Sequence, residues 1–206
     1  ASGAAMGNNP HPMIEGTDGM MYIGDGRNIH QLDGQTGANG TFDDNRVQIS
    51  QGWEVLHFFK IKGFLGVCAW KRTGSGDENY RTESGIFYWD YVSDSYNFFV
   101  PIQDNYIESV INDNGTVYIV TQGRSFSSSL RRITNTGSAK LTSLKLNIGG
   151  TTHNFYLRAL GGQTNRKLMD LFQNRVMIGG TSSSRNYIFA YGSQDERFPK
   201  SLLQPY

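Results

Sequence analysis

Cysteine is almost missing. Cys68 stands alone among 206 residues, so no intramolecular disulfide can staple this fold. It lies in an apolar stretch and reads as a small core residue, and one unpaired thiol suits folding in a reducing cytoplasm. An excess of one charge is also missing. Net charge is +1, without the basic stripe of a nucleic-acid binder, so no nucleic-acid partner is expected. No apolar run is long enough to cross a bilayer as a helix, so no membrane span is expected. Residues 1–12 lack the basic start and apolar centre of a signal peptide and read as a flexible arm or linker.

What is plentiful points one way. Glycine numbers 25, aromatics make up 13% and charged residues only 18%, which suits short strands joined by many turns. The stretch 106–146 carries the pattern most clearly. Tyr106–Ile111, Thr116–Thr121, Leu130–Thr134 and Leu141–Leu146 read as successive strands a, b, c and d. Asn112-Asp113-Asn114-Gly115 tolerates positive φ and closes the first hairpin. A four-stranded meander of about forty residues is the size of a propeller blade.

The unit recurs. Strand b returns as GMMYIGDG, GFLGVCAWK, GTVYIVTQG and NRVMIGGT, starting at 19, 63, 115 and 174, with strands c and d following in order. Strand a is clear before the last three; before the first there is only the weak PMIEG. The fold class expected is all-β and β-propeller-like, with about four blades of four-stranded antiparallel meanders, closed by themselves or part of a larger ring. A generic β-sandwich explains the alternation but not the realignment of all four strands. The blades fall at 13–50, 53–102, 106–146 and 167–206 within one domain, 13–206, with an insertion at 147–166. Within the insertion, Phe155–Leu160 reads equally as an extra strand or a short helix.

The second blade carries half of the aromatic rings, among them Trp53, Phe59, Phe87, Tyr88, Trp89 and Phe99, most of which are expected to pack between blades. Gly24-Asp25-Gly26-Arg27-Asn28 reads as the first b–c turn. Asp43, Asp44 and Asn45 offer oxygen ligands for a hard cation, but without calcium-loop spacing they read as a solvated turn. His57 alternates within an apolar strand and reads as a satisfied core histidine. No nucleophile elbow, H-E-x-x-H zinc motif or nucleotide-cradling glycine loop is present. His11, His30, His57 and His153 lack metal-ligand spacing. The expectation is a protein that is not an enzyme, with no cofactor and no metal.

The segments MMYIGDGRNIHQLDG, GIFYWDYVSDSYNFFVPI and NGTVYIVTQG resemble divergent β-propeller blades of structural proteins in tailed-phage particles. In that family a G-x-L-Y-I-G-D-G strand precedes an I-x-x-L-D-G strand, then I-F-x-W-D, S-D-S-W/Y-N and I-P-I. The similarity spans roughly residues 18–135, carries no site motif, and is lost over 147–173. It implies a virion component of the tail, tail nozzle or adhesion apparatus, assembled in the host cytoplasm with other virion proteins as a homo-oligomer or symmetric assembly. The rival expectation is a lectin-like propeller that binds host-surface glycans. A lectin would repeat one sugar pocket in equivalent loops, whereas the b–c loops here share little beyond Arg and Ser. In an up-and-down meander the b–c and d–a connections leave at one end of the strands. That end carries 72–84, 124–129, 147–166 and 181–186, and its candidate partner-binding residues are Tyr80, Arg81, Arg124, Phe126, His153 and Arg185.

Overall fold

β-branched and aromatic runs broken by glycine-rich turns give strands throughout. The computed structural model describes residues 6–7, 11–33, 42–72, 81–123, 128–134, 137–148, 151–154, 168–172, 175–182, 185–192 and 204–205. No helix occurs among them; the fold is all-β, and its sheets are propeller-like antiparallel meanders.

The first sheet orders β1 (Met13–Glu15), β2 (Met21–Asp25), β3 (Asn28–Leu32) and β4 (Phe42–Gln48). The second orders β5 (Trp53–Ile61), β6 (Phe64–Arg72), β7 (Arg81–Trp89) and β8 (Phe98–Ile102). The third contains β9 (Tyr106–Asp113), β10 (Thr116–Gln122), β11 (Ser128–Thr134), β12 (Gly137–Ile148) and β13 (Thr151–Asn154). The fourth contains β14 (Met169–Phe172), β15 (Arg175–Ser182), β16 (Arg185–Tyr191) and β17 (Gln204–Pro205). The weak PMIEG does form a strand: Met13, Ile14 and Glu15 pair with Ile23, Tyr22 and Met21.

Two features depart from the sequence reading. The third sheet has five strands, because β12 runs through Leu146 to Ile148 and turns back into β13, with Leu146 opposite His153. Part of the expected insertion is therefore a hairpin extension of the third meander. Phe155–Leu160 lies outside the described residues. The second departure is at Gly24. It is not part of the turn but the fourth residue of β2, and the reversal is made by Gly26 (φ 57°) with Arg27. A Cβ at Gly24 would lie 2.8 Å from Val55 and 3.2 Å from Phe58, so the missing side chain lets β2 approach β5.

The a–b turns are as tight as their sequences suggest. Ile61 pairs with Phe64 across Lys62 (φ 45°) and Gly63 (φ 81°). Asp113 pairs with Thr116 across Asn114 (φ 48°) and Gly115 (φ 89°). Positive φ at both central residues is the type I′ geometry that matches strand twist.

The chain divides into two units, Ala1–Ile102 and Gln103–Tyr206, each holding two sheets and its own core. In the first unit Tyr22, Ile29 and Val47 of the first sheet join Val55, Leu65, Val67, Phe87 and Trp89 of the second. Tyr22 meets Trp89 edge-on at 5.4 Å, and Trp53 meets Phe87 edge-on at 5.3 Å. Fully burying one such ring is worth about 1.5–3 kcal/mol. Phe87 and Trp89 thus do what the repeat demands, filling the space between neighbouring sheets. In the second unit Val120, Leu130 and Leu144 pack with Met169, Val176, Ile178 and Phe189.

Candidate functional site

The six residues proposed from sequence are only partly visible. Tyr80, Arg124 and Phe126 lie outside the described residues. Arg81 opens β7 opposite Arg72, His153 sits in β13 opposite Leu146, and Arg185 opens β16 opposite Ser182. For these three the backbone alone is described.

The polar cluster that is fully built lies in the connection after β7, at the opposite end of the strands. Trp89 donates its indole N–H to the Ser93 carbonyl at 2.7 Å. Asp90 accepts from the backbone N–H of Val92 at 3.0 Å and of Ser93 at 2.8 Å. It also accepts from the Ser93 hydroxyl at 2.8 Å and the Asn97 side-chain amide at 2.9 Å. Asn97 returns the bond, its Oδ1 accepting from the Asp90 N–H at 2.8 Å. Donors converging on one carboxylate favour its charged form. The Ser93 amide first, then Asn97 and the Val92 amide, hold the Asp90 carboxyl well below the usual carboxylate range.

Arg46, from β4, fastens this loop to the first sheet. Its guanidinium lies 5.3 Å over the Trp89 ring and donates to the Val92 carbonyl at 2.9 Å. Asp94 lies 3.7 Å away. Val92 is left 75% exposed at the tip. The backbone at Tyr91 has φ 67°, and its ring packs on Tyr22 and Trp89. The loop's polar groups thus bond one another and their own backbone, while Asp94 stands in solvent.

The segment 43–45, read from sequence as a solvated turn, instead lies within β4. It forms an irregularity of β4, where three residues, 44 to 46, stand opposite His30. Asp44 lies 2.7 Å from His30 Nδ1, and the Asn45 N–H is 3.2 Å from the same atom. His30 is buried and stacked on Phe42, while Asp43 is 3.9 Å from Arg46. Asp43 thus faces the Arg46 guanidinium and Asp44 the His30 ring. Among the described residues no group of three or more His, Cys, Asp or Glu is placed to hold a metal.

A charged pair in the second unit was missed by sequence reasoning. Arg131 of β11 is only 5% exposed and donates through Nε to Asp104 at 2.6 Å. Thr121 of β10 donates its hydroxyl to the same carboxylate oxygen. The available signal was weak: an arginine alternating with Leu130, and a polar Gln103-Asp104-Asn105 just ahead of a strand. Elsewhere, burial pushes the Cys68 thiol up, which removes its nucleophilic form. Burial, with the Asp18 hydrogen bond second, also raises Tyr22. His57 is half-buried in β5 opposite Cys68.

The described geometry thus defines a class of protein built of repeating propeller-like meanders. No family model matches the chain. No curated protein matches it either. Among solved structures it is similar to two crystal structures of one extracellular domain from B. thetaiotaomicron. One describes a candidate one component system, at 14% identity and TM-score 0.39, covering 94% of this chain and 27% of that one. The other describes a candidate hybrid two component system, at 15% identity and TM-score 0.36, covering 87% of this chain and 26% of that one. The chain therefore spans about a quarter of the length of these neighbours.

Proposed function

We propose that this chain is a non-enzymatic structural component of a virion, a rigid propeller-like platform in a phage tail or related particle. Its neighbours are other virion proteins and, in a symmetric assembly, further copies of itself. The observation that carries this reading is the Asp90–Asn97 loop. Trp89, Asp90, Ser93 and Asn97 are the residues of the W-D and S-D-S-Y-N segments through which the sequence resembles phage blades. Their polar groups bond one another and their own backbone. Side chains used in that way hold a shape; a sugar site would leave such groups free to face its ligand.

The partner contact is assigned to the b–c and d–a end, chiefly 72–84 and 147–166, the connections that the sequence marks as longest. Electron cryomicroscopy and cross-linking mass spectrometry of assembled particles test both statements. The expected outcome is the chain in the particle, with neighbours cross-linked to those two segments. Particles that lack the chain, or partners gripping only the other end, overturn the respective statement. A distinct preference on a glycan array would replace the platform with host-surface adhesion.

A further inference from the structure

We infer that copies of this chain join head to tail, the outer face of the fourth sheet of one copy packing on the outer face of the first sheet of the next. Side chains alternate between the two faces of a strand, and residues paired directly across a ladder share a face. The second strand of each sheet is counted from the residue that closes the preceding turn: Met20, Phe64, Thr116 and Arg175. Its first, third and fifth positions lie on a leading face, its second, fourth and sixth on a trailing face. In the first unit the leading face of the first sheet, with Tyr22, packs against Leu65, Val67 and Ala69 on the trailing face of the second. Gly24 obeys the same order, its open side filled by Val55 and Phe58, which pair with Ala69 and Val67. In the second unit Tyr118 and Val120, leading in the third sheet, pack with Val176 and Ile178, trailing in the fourth. Leading packs on trailing in both units.

One face of each kind stays exposed. On the leading face of the fourth sheet Phe172 pairs with Arg175 and is 60% exposed, and Ile188 pairs with Gly179 and is 50% exposed. On the trailing face of the first sheet Met13 pairs with Ile23 and is 67% exposed. Met21, Leu32 and Phe42 share that face, half-buried. Phe172, Ile188 and Met13 are three of the six large hydrophobic side chains exposed among the described residues, so open apolar surface gathers where a further sheet would sit. Every copy carries both faces, and they match by the order that already joins sheets within each unit. The occupant of the one is therefore the other, on a second copy. Such a joint is heterologous and leaves a free face at each end, so it extends into a ring or a filament. It deepens the platform reading by naming how copies meet.

Sedimentation velocity of the isolated chain, from about 1 to about 100 μM, tests the joint. The parent is expected to reach the mass of two copies or more as concentration rises. Met13→Glu spoils the trailing face alone, and Ile188→Glu the leading face alone. Both side chains are exposed, so the urea midpoint of each variant should stay near the parent's; Phe172→Glu replaces Ile188→Glu if that midpoint falls. Each variant by itself should sediment as a monomer. Their equimolar mixture should give a dimer and nothing larger, because each still carries the face that the other has lost. A monomeric parent overturns the joint, without bearing on whether the chain occurs in a particle. Self-association that persists in either variant overturns it too, as does a mixture that stays monomeric.

Discussion

Gly66 and Gly85 show how single residues seat the aromatic load of the second sheet. A Cβ at Gly66 would come within 2.2–2.6 Å of the Phe59 ring. At Gly85 it would meet Phe99 at 2.3 Å and the Val100 carbonyl oxygen at 3.0 Å. Each ring lies over a glycine of the next strand, an arrangement that also stiffens the glycine. Gly66→Ala is expected to cost about 1–3 kcal/mol through overpacking, read as a shift of the urea midpoint without a change in slope. A midpoint equal to the parent's would show that Phe59 moves aside freely. Asp90 makes the second residue-scale prediction. Its carboxyl is depressed in the folded chain, so its contribution is present above the unfolded value near about pH 4 and is lost as pH falls below it. Asp90→Ala should melt below the parent at neutral pH, and the gap should begin to narrow as pH falls below about 4 and close only well below the usual carboxylate range. A gap that stays constant would mean the carboxylate charge is irrelevant to the loop.

At the scale of elements, turns and buried ladders behave differently. The hairpins at Lys62-Gly63 and Asn114-Gly115 were legible because positive φ selects glycine and asparagine locally. Arg131 was not. Strand β11 is buried on both sides, with Ser129 at 3%, Leu130 at 0% and Arg131 at 5% exposure. Arg131 pairs with Asp104 across 27 residues, and no local pattern announces it. Arg131→Met should destabilise by about 3 kcal/mol, because it leaves a largely buried carboxylate without its cation. Adding Asp104→Asn should recover part of that loss in guanidinium denaturation. If the double variant is no better than the single, the pair is not coupled. The same contrast separates β12 from its expected end. The backbone pairing that creates β13 is set by the partner strand, whereas Asn147 to Gly150 read locally as a loop.

For the molecule as a whole, repetition gives each unit two sheets around a private core. Separate cores of that kind suit a rigid platform, with the Asp90 loop as the element that weakens on acidification.

The order of strands and the all-β class were determined by the sequence alone, because alternation, β-branching and turn glycines act over a few residues and recur four times. The role of Phe87 and Trp89 between sheets was equally readable, since rings of that size must be buried somewhere. Tertiary structure decided the rest. It made Gly24 a point of close approach instead of a turn residue, set Asp44 against His30, paired Asp104 with Arg131, and wrapped His11 between two carbonyls. Each of these joins residues 13 to 27 positions apart, or separate strands, through backbone geometry that sequence spacing does not encode. The W-D and S-D-S-Y-N segments lie between the two cases: visible as a pattern in the sequence, and explained only when Asp90 is seen gathering the donors of its own loop.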